Sequence, residues 1–204
     1  MPRMGREVEA KFKVAALAAA RRAVRSAGGR HVGTVLETDT YFDTPAGALR
    51  KGDRGLRIRR LRRLGGRAPA GDLRPLLTFK GPRAPGRRVK ARTEVQTRLD
   101  DPDALAEALR ACGLRETLTI EKRRASYRLG RCRVELDELP LIGCFVEIEA
   151  PSAADVARVR RALHLRCEPI TEPYVELLAR RCRRVGRSCR LVTFERCARC
   201  ASGA

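Results

Sequence analysis

The chain has no tryptophan among its 204 residues, only three tyrosines and five phenylalanines, and only two histidines. So few aromatics argue against a stacking platform for nucleic-acid bases. His31 and His164 are far apart and lack the paired spacing of a metal motif. No Gly-rich Walker loop occurs, so phosphate is not held in P-loop fashion, and no Gly-x-Ser-x-Gly elbow is present. The N-terminus lacks the apolar centre of a secretory signal, and no stretch approaches the length of a membrane span. The expectation from these absences is a cytoplasmic protein with reduced thiols and no membrane partner.

Acidic residues are also in short supply. Asp and Glu number 24 against 45 Lys and Arg, a formal net charge of +21. That balance favours anionic partners such as phosphates or nucleic acid. The excess is mostly Arg in an Ala-rich chain, so a GC-rich coding background accounts for part of it. Of the eight cysteines, Cys197 and Cys200 have zinc-ligand spacing, but Cys182 and Cys189 upstream are too far apart to complete a knuckle.

The length suits one domain with little room for a second. Alternation of charged and apolar residues predicts strands at 6–14, 35–42, 55–61, 73–80, 88–99, 117–129, 131–136 and 145–149. Helices are predicted at 15–26, after the Asp101-Pro102 cap, at 153–164 behind a Ser152/Asp155 capping box, and at 173–184. A turn or short helix is expected over 44–52. Residues 185–204 form an Arg/Cys-rich tail without hydrophobic period, expected to be disordered and to touch nucleic acid only nonspecifically.

What the sequence does contain is a spacing of two. Residues i, i+2 and i+4 of a strand share a face. Glu7, Glu9 and Lys11 therefore point together, as do Arg57 with Arg59, and Lys90 and Arg92 with Glu94. The same holds for Lys122 with Arg124, Glu135 with Asp137, and Glu147 with Glu149. Between them lie Val8, Ala10, Leu56, Ile58, Leu136 and Ile148. One such strand is ordinarily a solvated sheet face. Six of them, carrying basic pairs on some strands and carboxylate pairs on others, suit a closed barrel with a polar interior. Both signs are needed if the ligand is a polyphosphate bridged to carboxylates by a divalent cation.

The motif EVEAKF at 7–12 resembles the ExExK signature of the CYTH superfamily, the triphosphate tunnel metalloenzymes. DTYFDTP at 39–45, LRIR at 56–59, LTFKGP at 77–82, the Lys-x-Arg at 122–124, ELD at 135–137, FVEIE at 145–149 and YVELL at 174–178 follow in that family's order. The resemblance covers roughly residues 6 to 184 and looks most like the class IV adenylate cyclase branch, alongside thiamine triphosphatase-like members. It implies an α+β fold: a closed eight-stranded antiparallel barrel over residues 1–184 with helices outside. It further implies Mg²⁺ or Mn²⁺ and a triphosphate substrate such as ATP, thiamine triphosphate or tripolyphosphate.

Carried over motif by motif, Glu7, Glu9, Glu135, Glu147 and Glu149 would hold the metal. Arg57, Arg59, Lys80, Arg92, Lys122 and Arg124 would hold phosphate oxygens. Lys11, Glu94 and Asp137 would serve the chemistry, and Asp39 and Tyr41 would help close one mouth. Homodimerisation is a further expectation. The competing reading is a non-catalytic binder of polyphosphate or RNA, which leaves the carboxylate pairs unexplained because without metal they weaken anion binding.

Overall fold

The computed structural model describes residues 8–65, 73–82, 93–186 and 190–201. Its first half runs β1 (Val8–Val14), α1 (Leu17–Ser26), β2 (Arg30–Asp43), α2 (Ala48–Lys51), β3 (Gly55–Arg63), β4 (Leu76–Lys80), β5 (Glu94–Arg98) and α3 (Pro102–Ala111). The second half runs β6 (Arg115–Leu129), β7 (Cys132–Leu139), β8 (Gly143–Ala150), α4 (Ala153–Ala162), α5 (Tyr174–Arg184), β9 (Leu191–Val192) and α6 (Phe194–Ala201).

Local chemistry sets the ends of these elements. The Asp101 carboxylate accepts from the backbone N–H groups of Asp103 and Ala104 and starts α3, with Pro102 at its first turn. Ser152 caps α4 by accepting from the Asp155 N–H, and its hydroxyl donates back to the Asp155 carboxylate. Gly130 has φ +58° at the first of the two residues linking β6 to β7. That value suits a II′-type hairpin turn, which glycine enters without strain. The turn fixes the β6–β7 register, which places Arg124 opposite Asp137.

The strands form one antiparallel sheet in the order β1-β8-β7-β6-β2-β3-β4-β5. The α+β class agrees with the sequence reading. The closed barrel does not: among the described residues no ladder joins β5 to β1. The outer edge of β1 is instead bridged at Lys11 by Ile170, whose N–H donates to the Lys11 carbonyl at 2.7 Å.

The outer face carries the main core. Phe12, Val134, Leu136, Val146 and Ile148 alternate with the inward charges and pack against Val24 of α1 and Val156 and Val159 of α4. A second cluster joins Ile120, Leu139 and Phe145 to Leu177 and Leu178 of α5, and a third packs Phe42 and Ile58 on Ala106 of α3. Each large apolar side chain buried this way contributes about 1.5–3 kcal/mol. No helix among the described residues is long and apolar enough to cross a membrane.

Two expectations need correction. Helix α5 is not the last element, and the segment expected to be disordered carries β9 and α6. The cause lies in β6, whose fifteen residues outrun β7: the β6–β7 ladder covers only Arg123–Leu129 of it. Strand β9 runs parallel to Thr119 and Ile120 on β6, with the Thr119 N–H donating to the Arg190 carbonyl. Val192 is buried in the second cluster, the Phe194 N–H donates to Glu121, and the Arg123 guanidinium stacks 3.9 Å over the Phe194 ring. The second correction concerns the thiols: Cys182 is disulfide-bonded, whereas Cys112, Cys132, Cys144 and Cys167 are free.

Truncation after Gly186 is therefore expected to destabilise the chain by at least the burial of Val192, about 1.5–3 kcal/mol. Urea unfolding of the truncated protein and of Val192→Asp should show a lower midpoint for both. Midpoints equal to the full chain would show that the tail adds nothing to the fold.

Candidate functional site

The inner face of the sheet surrounds a cavity of about 1550 Å³ lined from every strand between β1 and β8. Directly opposed residues in a ladder project to the same side. The registers therefore carry the alternating charges into one space: Asp39 faces Arg59, Glu37 faces Lys122, Arg124 faces Asp137 and Lys11 faces Glu147.

These side chains form one ionic belt. Arg59 grips Asp39 with two donors, at 2.6 and 2.7 Å, and Arg57 donates to the same carboxylate at 2.9 Å. Glu37 Oε2 lies 2.8 Å from Arg59 and 3.0 Å from Lys122, yet neither approach has hydrogen-bond geometry, so it holds both cations by charge alone. Arg124 makes a fork onto Asp137 at 2.7 and 2.6 Å and also donates to Glu147. Lys11 lies 3.4 Å from Glu147 and donates to the Glu172 carbonyl. The Tyr174 hydroxyl donates to Asp137 at 3.0 Å, and its ring lies 3.9 Å beneath the Lys11 ammonium and 5.3 Å from that of Lys122.

Burial would push Glu37 and Asp39 up; the cations around them override it. Burial raises the Glu37 carboxyl, but Arg59, Lys122 and Arg124 outweigh that and bring it down to about 2. Asp39 is likewise held below the usual carboxylate range, burial being outweighed by Arg57 and Arg59. Tyr174 is raised well above its ordinary value, first by burial and then by Glu147 and Asp137.

A second region is acidic. Glu9 stands opposite Glu149, and Glu147 opposite Glu135. Burial raises the Glu149 carboxyl to about 7, with Glu135 and Glu147 adding repulsion against the pull of Arg124 and Arg133. Glu135 is fully buried and accepts from Ser126 at 2.5 Å. Its other oxygen lies 3.2 Å from Arg133 without a hydrogen bond. Among the described residues no group of three His, Cys, Asp or Glu already converges as a cation site. The donor chemistry nevertheless fits a hard divalent ion, because Glu9 faces Glu149 and Glu147 faces Glu135 across adjoining ladders, all of them oxygen donors.

Of the residues singled out from sequence, Glu9, Lys11, Arg57, Arg59, Lys80, Glu94, Lys122, Arg124, Glu147 and Glu149 all line the cavity, as do Asp39 and Tyr41. Lys80 and Glu94 pair with each other at 2.9 Å near its edge. Asp137 and Glu135 are both fully buried and lie behind the lining, where Asp137 anchors Arg124, Lys122 and Tyr174. Glu7 and Arg92 lie outside the described residues. Sequence reasoning passed over Glu37 and Arg133, and it quoted Tyr174 within the YVELL motif without giving it a role. Glu37 and Arg133 each sit two residues before an acid already noted, Asp39 and Glu135, so the same alternation could have found them.

Comparison with known proteins gives this geometry a context. Residues 5–166 match the CYTH domain family. Over 112 residues the chain is 37% identical to adenylate cyclase CyaB of Aeromonas hydrophila, across 55% of this chain and only 51% of that protein. The PH1819 protein of Pyrococcus horikoshii OT3 has a similar fold, with TM-score 0.71 at 28% identity over 85% of this chain and 98% of that one. HpAC1 from Hippeastrum, described as having a dominant triphosphatase activity, shares the fold at TM-score 0.65 and 19% identity, over 89% and 97% of the two chains.

The belt has a pH signature. The Glu37 carboxyl is depressed in the folded state, so its contribution is complete above the unfolded value near ~4.3 and is lost as pH falls through about 2. Stability should therefore drop between those limits. Glu37→Gln should flatten that part of the profile and cost about 3–5 kcal/mol at pH 7 by leaving Arg59 and Lys122 underpaired. Urea titrations at stepped pH measure both; an unchanged acid slope in the variant would exclude this role for Glu37.

Proposed function

The chain belongs to the CYTH domain family, and from that premise we propose that it is a divalent-metal-dependent enzyme acting on a triphosphate held in the inner cavity. The observation that carries the reading is the belt itself: Arg57, Arg59, Lys122, Arg124 and Lys11 converge from β3, β6 and β1 beside an acidic corner formed by Glu9, Glu147 and Glu149. Forked guanidinium donors match phosphate oxygens. The carboxylates beside them would repel such a ligand in the absence of a cation.

Mg²⁺ or Mn²⁺, when bound, would neutralise phosphate charge and polarise the reacting phosphoryl group. Glu9 and Glu149 would hold it, with Glu147 alongside and Glu7 preceding them on the same motif. Arg57 and Arg59 would hold phosphate oxygens while Asp39 fixes their planes, and Lys122 and Arg124 would do so from the other side of β2 with Asp137 as anchor. Lys11, placed by Glu147, the Glu172 carbonyl and the Tyr174 ring, would offer its ammonium to developing charge on the phosphoryl group. Lys80 would reach the ligand from the cavity edge.

The same scaffold serves two reactions. Water attacking the terminal phosphorus gives hydrolysis. A ribose 3′-hydroxyl attacking the α-phosphorus gives a cyclic nucleotide and pyrophosphate. Both in-line displacements depend on positioning and charge neutralisation. The relatives' names support each, adenylate cyclase for the Aeromonas protein and triphosphatase activity for the Hippeastrum protein.

Incubation with ATP, thiamine triphosphate or tripolyphosphate and either metal, followed by product identification, tests the proposal. EDTA should abolish turnover, and Glu9→Gln or Glu149→Gln should lower it at least 100-fold with melting temperature retained. Arg57→Ala and Arg59→Ala should each reduce kcat/KM by the loss of a charged hydrogen bond, about 1.5–3 kcal/mol. Turnover that persists in EDTA, or kinetics untouched by both arginine changes, would refute the assignment.

A further inference from the structure

At one end of the inner face three neighbouring strands each present an arginine at the same level. Arg30 on β2 stands opposite Arg128 on β6, and Arg128 stands opposite Arg133 on β7. Directly opposed residues project to the same side, so the three side chains leave the sheet together. Arg133 lines the cavity, as does Ser126, which shares the face of Arg128 two residues along β6. Arg30 and Arg128 lie beyond that lining, beside the turn that joins β6 to β7. All three arginines are exposed.

Like charges directly opposite in a sheet repel and destabilise the pair. In the belt each inward cation has carboxylates that offset this. In the arginine row only Arg133 does, with Glu135 at 3.2 Å and Glu149 at 4.0 Å. Among the described residues Arg30 and Arg128 have no acidic partner. Arg21 and Arg25 of α1 add to the same positive field: after burial, they are what holds His31, the neighbour of Arg30, below its ordinary value. A high arginine content by itself gives no reason for three in one row. An anion seated across the row would turn the repulsion into attraction. A carboxylate or a phosphodiester brings one charge and two free oxygens. A terminal phosphate brings more than one charge and three acceptor oxygens, enough to engage three guanidinium groups.

We propose that Arg30, Arg128 and Arg133 form a second phosphate site, outside the belt, which takes inorganic phosphate or pyrophosphate at the end of the cavity. The site stands on the arginine row and not on the triphosphate reading. The two are compatible: hydrolysis would release phosphate and cyclisation pyrophosphate, so the row would meet a product on its way out.

Calorimetric titration of the full chain with pyrophosphate, without divalent metal and at low salt, tests the site in the parent, in the double variant Arg30→Ala/Arg128→Ala and in Arg128→Glu. Arg133 is left in place because it also faces Glu135 and Glu149. Both variants remove opposed like charges, so without ligand each should melt at or above the parent's temperature. The parent should bind one more pyrophosphate per chain than either variant, the lost site weakening at least tenfold, and the rise in melting temperature that pyrophosphate gives should shrink in both. Stoichiometry equal in parent and variants overturns the inference. So does acetate or dimethyl phosphate that competes for the extra site as well as pyrophosphate does. A parent that binds a single pyrophosphate, lost in both variants, upholds this site and counts instead against the belt as a holder of phosphate.

Discussion

Everything at the centre of this molecule depends on keeping five cations inside a sheet. Lys11, Arg57, Arg59, Lys122 and Arg124 face inward, and four carboxylates, Glu37, Asp39, Asp137 and Glu147, hold them there. A buried guanidinium without a partner would cost several kcal/mol. The acids lower that cost and also fix direction: a fork on Asp39 or Asp137 sets the plane of its arginine. An arriving polyanion would then meet donors already aimed, and little reorganisation would remain to oppose binding. The same acids set the terms of selectivity, because only a ligand with enough negative charge can compete with them for the guanidinium groups.

The belt in turn depends on backbone register. Arg124 meets Asp137 because a two-residue turn at Gly130 fixes β6 against β7, and Lys11 meets Glu147 because β1 pairs with β8 in step. A slip of one residue would turn every inward charge outward and every core residue inward. The outer clusters around Val134, Leu136, Val146 and Ile148 oppose such a slip, so the apolar face protects the geometry of the polar one. Tyr174 links this arrangement to α5. Its hydroxyl bonds Asp137 while its ring supports two ammonium groups.

The sequence was informative wherever periodicity decides the outcome. The spacing of two at Glu7/Glu9/Lys11, Arg57/Arg59, Lys122/Arg124 and Glu147/Glu149 carried the described members of those sets onto one face, because a strand has no freedom to do otherwise. Caps at Asp101 and Ser152 were equally readable, since a short side chain beside the first helical N–H groups acts locally. Pairing between distant strands was not. Nothing in the local pattern says that Glu37 must serve Arg59 and Lys122 together, or that Asp137 withdraws behind the lining while Glu147 remains at it. Nor could periodicity show that Ile170 occupies the edge of β1, where closure of the barrel would need it free. The tail misled for a related reason: Leu191 and Val192 are too short a run to show a period, and the burial of Val192 is created by an edge that another strand leaves open.

That gap has a temporal meaning. The exposed edge of β6 at Thr119 and Ile120 is filled by residues roughly seventy positions later in the chain. On a ribosome, β6 would emerge well before the segment that completes it, leaving an unpaired apolar edge beside Ile120. Until then the strand that carries Lys122 and Arg124 would have β2 as its neighbour on one side and β7 for only part of the other. Completion of that edge would follow the emergence of every strand that lines the cavity, so a chain halted before residue 190 would keep the sheet's order and lack this edge.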